Sequence, residues 1–335
     1  MTSIKDVARE VDLSTATVSR ALRGLRGVSD ENREKIAEAA QRLGYVPSPS
    51  AVGLASGHTR TVAVIVPHVA RWFFGEVVQG AEEVLRAAGY DLLLYNLGGD
   101  EAARHRVFQT GLLSKRVDAV LVLGLRPTPD EQARLAQTGR PVALVGAATT
   151  GLYSVSIDDE HAARLATAHL VGLGHRRIAY VGGSLDTIDF VAPSARLAGY
   201  RAVLRERAIR HCRDLEDVGD FTVAGGRAAA RRLLDRPDRP TAIFAASDEM
   251  AIGILRAARE LGLVVPDDLS VVGIDDHELA GFFDLTTVAQ PVREQGRRGA
   301  ESVLAQLTGV HPAQSEVLPV ELVVRTSTAP PHPEG

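Results

Sequence analysis

From Thr61 onward the chain alternates short apolar runs with amphipathic stretches, and this alternation limits the fold more than any other feature. The runs predict strands at Val62–Pro67, Asp91–Tyr95, Ala119–Leu123, Val142–Val145, Ile178–Val181, Ala242–Ala245 and Ser270–Ile274. Between them the spacing predicts helices over Gly75–Ala88, Glu101–Leu113, Asp130–Gln137, His161–Val171, Ala195–Arg207, Ala224–Leu234 and Glu249–Leu261. Short, largely apolar strands separated by helices belong to parallel sheets covered on both faces. About 270 residues of this pattern exceed one typical domain, so two doubly wound lobes are expected. Such sheets bind ligands beyond the carboxyl ends of their strands, and a cleft between two lobes is the default pocket.

Residues 1–45 follow a different pattern. Ile4–Glu10 reads as a helix with Ile4, Val7, Ala8 and Val11 on one side, and Asp12, Leu13 and Ser14 form a turn. Ser14 or Thr15 caps the next helix, Thr15–Arg23, whose Val18 and Leu22 face inward at i, i+4. A third helix, Asp30–Leu43, opens at Ser29 and closes before Gly44. Two short helices across a tight turn, supported by a third, make a helix-turn-helix, whose second helix enters the major groove of DNA. A small bundle for protein contact is the competing reading. The outward residues of the second helix favour DNA. Thr15, Ala16, Thr17 and Ser19 are small enough for close approach, and Arg20 can bond guanine bidentately.

Composition narrows the functions. Residues 1–60 hold nine Lys/Arg and seven Asp/Glu, a net of +2 in a chain of net charge −4, which places any phosphate-binding surface at the front. One cysteine, Cys212, permits neither an intramolecular disulfide nor a cysteine metal cluster. Met1–Arg20 lacks the apolar stretch of a secretory signal, and no uncharged run of about 20 apolar residues occurs, so a cytoplasmic protein without a membrane span is expected. The sequence has no G-x-x-x-x-G-K-[ST], no G-x-G-x-x-G after a strand, no H-E-x-x-H and no G-x-S-x-G. Neither an enzyme nor a bound cofactor or metal is therefore expected. A periplasmic sugar-binding protein shares the two-lobe pattern, but the missing signal and the attached N-terminal head count against it.

The segment IKDVAREVDLSTATVSRALRG resembles the N-terminal signature of the lactose-repressor/purine-repressor family, and VSDENREKIAEAAQRLGYVPS continues the match. The likeness resumes at HLVGLGHRRIAYVGG, RLAGYRAVL, FAASDEMAIGILRAARELGLVVPDDLSVVGIDD, LTTVAQPVREQG and LPVELVVRTST, so it spans nearly the whole chain in order. The resemblance implies an N-terminal all-α helix-turn-helix domain (1–46), a hinge (47–60) and an α/β effector domain (61–330) of two doubly wound parallel-sheet lobes, like a periplasmic binding protein. Lobe 1 is expected at about 61–159 and 290–320, lobe 2 at about 160–289 and 321–328. The implied function is repression at a pseudo-palindromic operator, switched by a small polar effector of the sugar class. Ala329–Gly335 is proline-rich and lacks apolar heptads, so a homodimer is expected rather than a tetramer.

The resemblance also implies residue roles. Thr15, Ala16 and Arg20 match base-reading positions; Lys5, Ser14, Thr17, Ser19 and Asn32 match phosphate contacts, which position without specifying. Ala51 and Leu54 match a hinge helix that inserts a leucine into the minor groove. Here Val52 replaces a common arginine, and Gly53 weakens a helix by roughly 1 kcal/mol, so the hinge reads as marginal without DNA or as a plain linker. Phe73, Phe74, Arg196, Phe221, Asp248 and Asp275 match effector contacts. Carboxylates and a guanidinium bond vicinal hydroxyls, and aromatic faces stack on a sugar's C–H surface. Each has a plainer reading: core packing for the phenylalanines, a structural ion pair for Arg196, and a cap on the helix at Glu249 for Asp248. One of Phe73 and Phe74 is expected to be exposed, and at least one of Asp275 and Asp276 to face the cleft. Arg196 and Asp275 are expected to face each other across it. Gln290 is placed at a crossover within reach of the ligand, and Trp72 reads as pocket wall or surface. Phe190, Ala147, Ala148 and Asp158-Asp159 depart from well-known relatives; they argue against a purine and leave the choice of sugar open.

Overall fold

A computed structural model describes residues 2–22, 24–45, 58–109, 113, 116–184, 192–310, 312 and 315–332. The chain divides into two compact units, Met1–Arg60 and Thr61–Gly335.

The first unit holds α1 (Ile4–Glu10), α2 (Thr15–Leu22) and α3 (Asp30–Arg42). Asp12 adopts a left-handed φ of 54° in the turn between α1 and α2, a conformation Asp tolerates better than most residues. Of the two candidate caps, Ser14 is the one used: its Oγ accepts the Thr17 N–H at 3.1 Å. Ser29 caps α3 by accepting the Asn32 N–H. Val7, Val18, Ile36 and Ala39 are fully buried where the three helices meet.

In the second unit, β1 (Thr61–Val66), β2 (Asp91–Asn96), β3 (Ala119–Leu123), β4 (Val142–Val145), β5 (Tyr153–Ile157) and β11 (Ser315–Leu318) form one all-parallel sheet, ordered β11-β5-β4-β3-β1-β2. Successive β1 residues serve opposite faces. Val62, Val64 and Val66 join a core with Phe74, Val77 and Leu85 of α4 (Trp72–Ala87). Ala63 and Ile65 join another with Val107 and Phe108 of α5 (Glu101–Gln109) and Leu135 of α6 (Pro129–Gln137). Both faces are covered, so no polar alternation survives in the strand.

The second sheet comprises β6 (Ile178–Gly182), β7 (Glu216–Val218), β8 (Ala242–Ala245), β9 (Ser270–Asp275), β10 (Thr286–Ala289) and β12 (Glu321–Val323), ordered β12-β10-β9-β8-β6-β7. Its strands are parallel except β12, which runs antiparallel to β10. Its helices are α7 (Asp159–Gly172), α8 (Ala192–Glu206), α9 (Val223–Leu234) and α10 (Asp248–Glu260). The two doubly wound lobes expected from the alternation are thus present. The chain passes between them after β5, after β10 and after β11. β5 and β11 lie at one edge of the first sheet, β10 and β12 at one edge of the second. The crossovers therefore gather on one side of the unit, and the opposite edge strands, β2 and β7, lie away from them.

Helix α11 (Val292–Leu307) returns from β10 to the first lobe, where a Cβ on its Gly299 would meet Val145. It packs on α4 through glycines. A Cβ on Gly296 would lie 2.0 Å from the Val77 carbonyl oxygen, and one on Gly80 would lie 2.1 Å from that of Arg293. The two backbones touch there, which no larger residue permits.

Candidate functional site

On the first unit, Thr15, Ala16 and Arg20 are exposed on α2, while Val18 is turned into the core. Lys5 and Ser14 are exposed as well; Thr17, Ser19 and Asn32 are half-buried. The Ser14 and Thr17 hydroxyls bond one another at 2.8 Å, so the first turn of α2 presents them as a fixed pair. Small hydroxyls and a methyl group lead this face and one guanidinium follows a turn later, a surface that admits close approach to a base edge. The hinge positions Ala51 and Leu54, with Val52 and Gly53, lie outside the described residues, as does Phe190.

On the second unit, a cavity of about 530 Å³ opens between the lobes at the carboxyl ends of the strands. Its polar centre is Arg196, on the first turns of α8 and only 5% exposed. The Arg196 Nε donates to Asp159 Oδ1 at 2.8 Å, its Nη1 donates to the Ala246 carbonyl, and Asp275 Oδ1 lies 3.9 Å away. Asp275, the last residue of β9, accepts from Gln290 Nε2 at 2.6 Å, and the Gln290 carbonyl accepts from Gln295 Nε2 at 2.9 Å. Gln290 stands at the β10–α11 crossover and Gln295 on α11, so this buried chain of polar groups links the lobes. Burial pushes the Asp275 carboxyl up to about 7, against the pull of the Arg196 guanidinium and the Gln290 hydrogen bond.

Aromatic rings flank this centre. Phe73 lies 3.6 Å from where a Cβ on Gly146 would stand, and meets Phe74 edge to face at 5.2 Å. Phe221 covers Gly183 so closely that a Cβ there would lie 2.3 Å from the ring. Four non-glycine residues beside the cavity have left-handed φ: Asp220 (50°), Phe221 (53°), Asp275 (132°) and Asp276 (54°). Each such residue costs of order 1–3 kcal/mol and persists where the surroundings hold it, commonly at ligand sites.

Several expectations need correction. Neither Phe73 nor Phe74 is exposed: Phe74 is 4% accessible, Phe73 is half-buried, and both line the cavity. The reason is that α4 begins at Trp72, earlier than the predicted Gly75, so both rings are placed by one helical turn. Arg196 and Asp275 do not oppose each other across the cleft, because α8 and β9 both belong to the second lobe. Asp248 does not line the cavity. It is fully buried, with Oδ2 accepting the His277 N–H at 2.8 Å and Oδ1 accepting the Thr287 hydroxyl at 2.7 Å. Nor does Asp248 cap α10, which starts one residue earlier than predicted; Ser247 does so by accepting the Met250 N–H. Burial, and next the charge of Asp275, push the Asp248 carboxyl up to about 8. Of the tandem acids, Asp275 faces the cavity and Asp276 pairs with Arg325 at 2.8 Å. Trp72 is half-buried, tilted at 34° against His277 with ring centroids 4.6 Å apart.

Further cavity residues carry weak sequence signals. Asp159 was legible only as half of a tandem acid before a helix, and Gln295 sits in a helix too rich in Gly and Arg to stand out. Glu249 accepts the Trp72 backbone N–H from the other lobe, and burial raises its carboxyl. Arg71, the residue before α4, also lines the cavity.

A three-helix DNA-reading head joined to a two-lobed unit with a polar, aromatic-flanked interlobe cavity defines a ligand-responsive DNA-binding regulator. Residues 3–48 match the model of the bacterial regulatory proteins of the lacI family, and residues 167–328 match a periplasmic binding protein-like domain. The chain is 36% identical over 331 residues to the HTH-type transcriptional repressor CytR of Escherichia coli (strain K12), covering 97% of this chain and 96% of that protein. It is 36% identical over 299 residues to the catabolite control protein A of Priestia megaterium, covering 88% and 89% respectively. Among solved structures it resembles the lac repressor dimer bound to operator and the anti-inducer ONPF, with a TM-score of 0.84, 30% identity and coverage of 98% and 99%. It also resembles a complex of the transcriptional regulator CelR with cellobiose, with a TM-score of 0.71, 34% identity and coverage of 98% and 100%. The chain belongs to the LacI family, and it is a DNA-binding transcriptional regulator rather than an enzyme.

Proposed function

We propose that the protein is a cytoplasmic homodimeric repressor whose two α2 helices read the half-sites of a pseudo-palindromic operator, and whose affinity is set by a sugar in the interlobe cavity. In this reading Thr15, Ala16 and Arg20 meet bases, and Lys5, Ser14, Thr17, Ser19 and Asn32 meet phosphates. The hinge positions Ala51 and Leu54 enter the minor groove. Phe73, Phe74, Phe221, Arg196 and Asp275 contact the effector. The observation that carries the sugar is the Arg196–Asp159–Asp275 network set between Phe73 and Phe221. Fixed donors and acceptors beside aromatic faces match the hydroxyl edges and C–H faces of a polyol. Relatives whose names or complexes include cellobiose and the ribose operon point the same way.

Switching requires the effector to bind two lobe arrangements unequally. Because the cavity has walls from both lobes, a ligand filling it favours the closed arrangement. A gel shift with the gene's own upstream DNA, with and without candidate sugars, tests the proposal. A sugar-dependent change in operator affinity is expected; a shift that no sugar alters removes the effector reading and leaves the DNA reading intact.

A further inference from the structure

The cavity is longer than one sugar needs. It is lined from Ile157 and Asp159, beyond β5, to Leu97, Gly99 and Asp100, beyond β2. In the sheet order β5-β4-β3-β1-β2 these strands are four steps apart, about 19 Å at the usual strand spacing. A single pyranose, built from bonds of about 1.5 Å, spans less than half of that. A volume of about 530 Å³ is that of a pocket for a drug-sized ligand rather than for one small ring.

The two ends differ in chemistry. The deep end, beside the crossovers, holds Arg196, Asp159, Asp275 and Gln290. The mouth, beside the edge strands β2 and β7, holds Asp100 and Arg104 on one lobe and Asp220 and Phe221 on the other, with Leu125 and His68 next to them. Arg104 is held by Glu131 through two hydrogen bonds of 2.7 Å, so it is a preset donor rather than a free cation. Among the described residues, six acids line the cavity (Asp100, Glu101, Asp159, Asp220, Glu249 and Asp275) against three arginines (Arg71, Arg104 and Arg196), two of which already face carboxylates. The third, Arg71, faces the carboxylate of Glu249, so a phosphate or carboxylate ligand finds little uncommitted positive charge there, whereas hydroxyl donors meet acceptors.

Resting on the sugar reading above, we infer that the effector is a neutral disaccharide, with one ring on Arg196 and Asp275 and the second in the mouth between Phe221 and the His68–Leu125 wall. The test is a thermal-shift and calorimetric panel on the full chain with monosaccharides, neutral disaccharides, sugar phosphates and nucleosides. A disaccharide is expected to bind at least tenfold more tightly than either constituent monosaccharide. H68W, which fills the mouth beside Gly99, is expected to bring that ratio close to one, while D275N weakens both ligands. A monosaccharide that binds as tightly as any disaccharide, or a sugar phosphate that binds best, overturns the inference and leaves the sugar reading standing. If no disaccharide shifts the melting temperature the inference also falls, and if only nucleosides respond, or nothing does, the sugar reading falls with it.

Discussion

Gln290 donates a 2.6 Å hydrogen bond to Asp275, tying a crossover segment to the carboxylate at the end of β9. The crossover is one of the segments that join the lobes, and Asp275 also faces the Arg196 guanidinium. A ligand hydroxyl that bonds Asp275 therefore shares its carboxylate with Gln290.

Asp275→Asn preserves the shape and removes the charge. A hydrogen bond to a charged group contributes about 1.5–3 kcal/mol, so above pH 7, where the carboxyl is ionised, effector affinity is expected to fall about 10–150-fold. Operator binding without effector is expected to be unchanged, since Asp275 lies in the unit that carries no DNA-reading residue. Operator titrations with and without sugar check this; a full effector response in the variant places the site elsewhere.

Stability is expected to decline on the alkaline side. Burial holds Asp248 at about 8 and Asp275 at about 7, both above the ordinary 3.8 of Asp, so the folded protein binds more protons than the unfolded chain between these limits. The resulting contribution is complete below about pH 4 and is lost as pH rises through 7 to 8. Melting temperatures measured from pH 6 to 9 should fall, and the slope should lessen in Asp248→Asn. Equal slopes in the two proteins would show that the pair does not titrate there.

The α4–α11 contact has no room for a side chain. Gly296→Ala places a Cβ 2.0 Å from the Val77 carbonyl oxygen, and overpacking of this kind costs about 1–3 kcal/mol. Chemical denaturation should show that loss. A midpoint equal to the parent's would mean the helices part freely.

Arg20→Ala is expected to cost about 1–3 kcal/mol per half-site and to relax preference at one base pair. Competition gel shifts against single-base operator variants measure this. Uniform weakening across all variants would make Arg20 a phosphate contact.

Phe282 is 81% exposed, and beside it in the chain Leu279 and Phe283 are 43% and 38% exposed, an apolar group suited to covering by a second copy. Phe282→Asp is expected to convert the dimer to a monomer in light scattering without lowering the melting temperature of the monomer. An unaltered mass would place the dimer contact on another face.

Much of the architecture was legible in the residues alone. The apolar runs at Ala119–Leu123, Val142–Val145 and Ala242–Ala245 match their strands residue for residue, and the first helix, Ile4–Glu10, does too. Their signal is local: a period of two or 3.6 is written in consecutive side chains. The strands β5, β7, β10, β11 and β12 left little trace, because strands of three to five mixed residues at or next to a sheet edge take their shape from their pairing partners. Helix α11 was hidden for a related reason: its glycines lower helix propensity and are explained only by the α4 backbone against them. The site divides in the same way. Aromatic, acidic and arginine residues near the carboxyl ends of strands could be picked out from the chain. That Asp248 turns into the protein toward Thr287 and His277, while Asp275 turns to Arg196, was decided by the packing of β9 against β10, which sets those donors beside the start of α10. Sequence patterns determine which stretches become helix or strand; the direction of a single carboxylate depends on donors 29 and 39 residues away, and only the assembled sheet brings those to it.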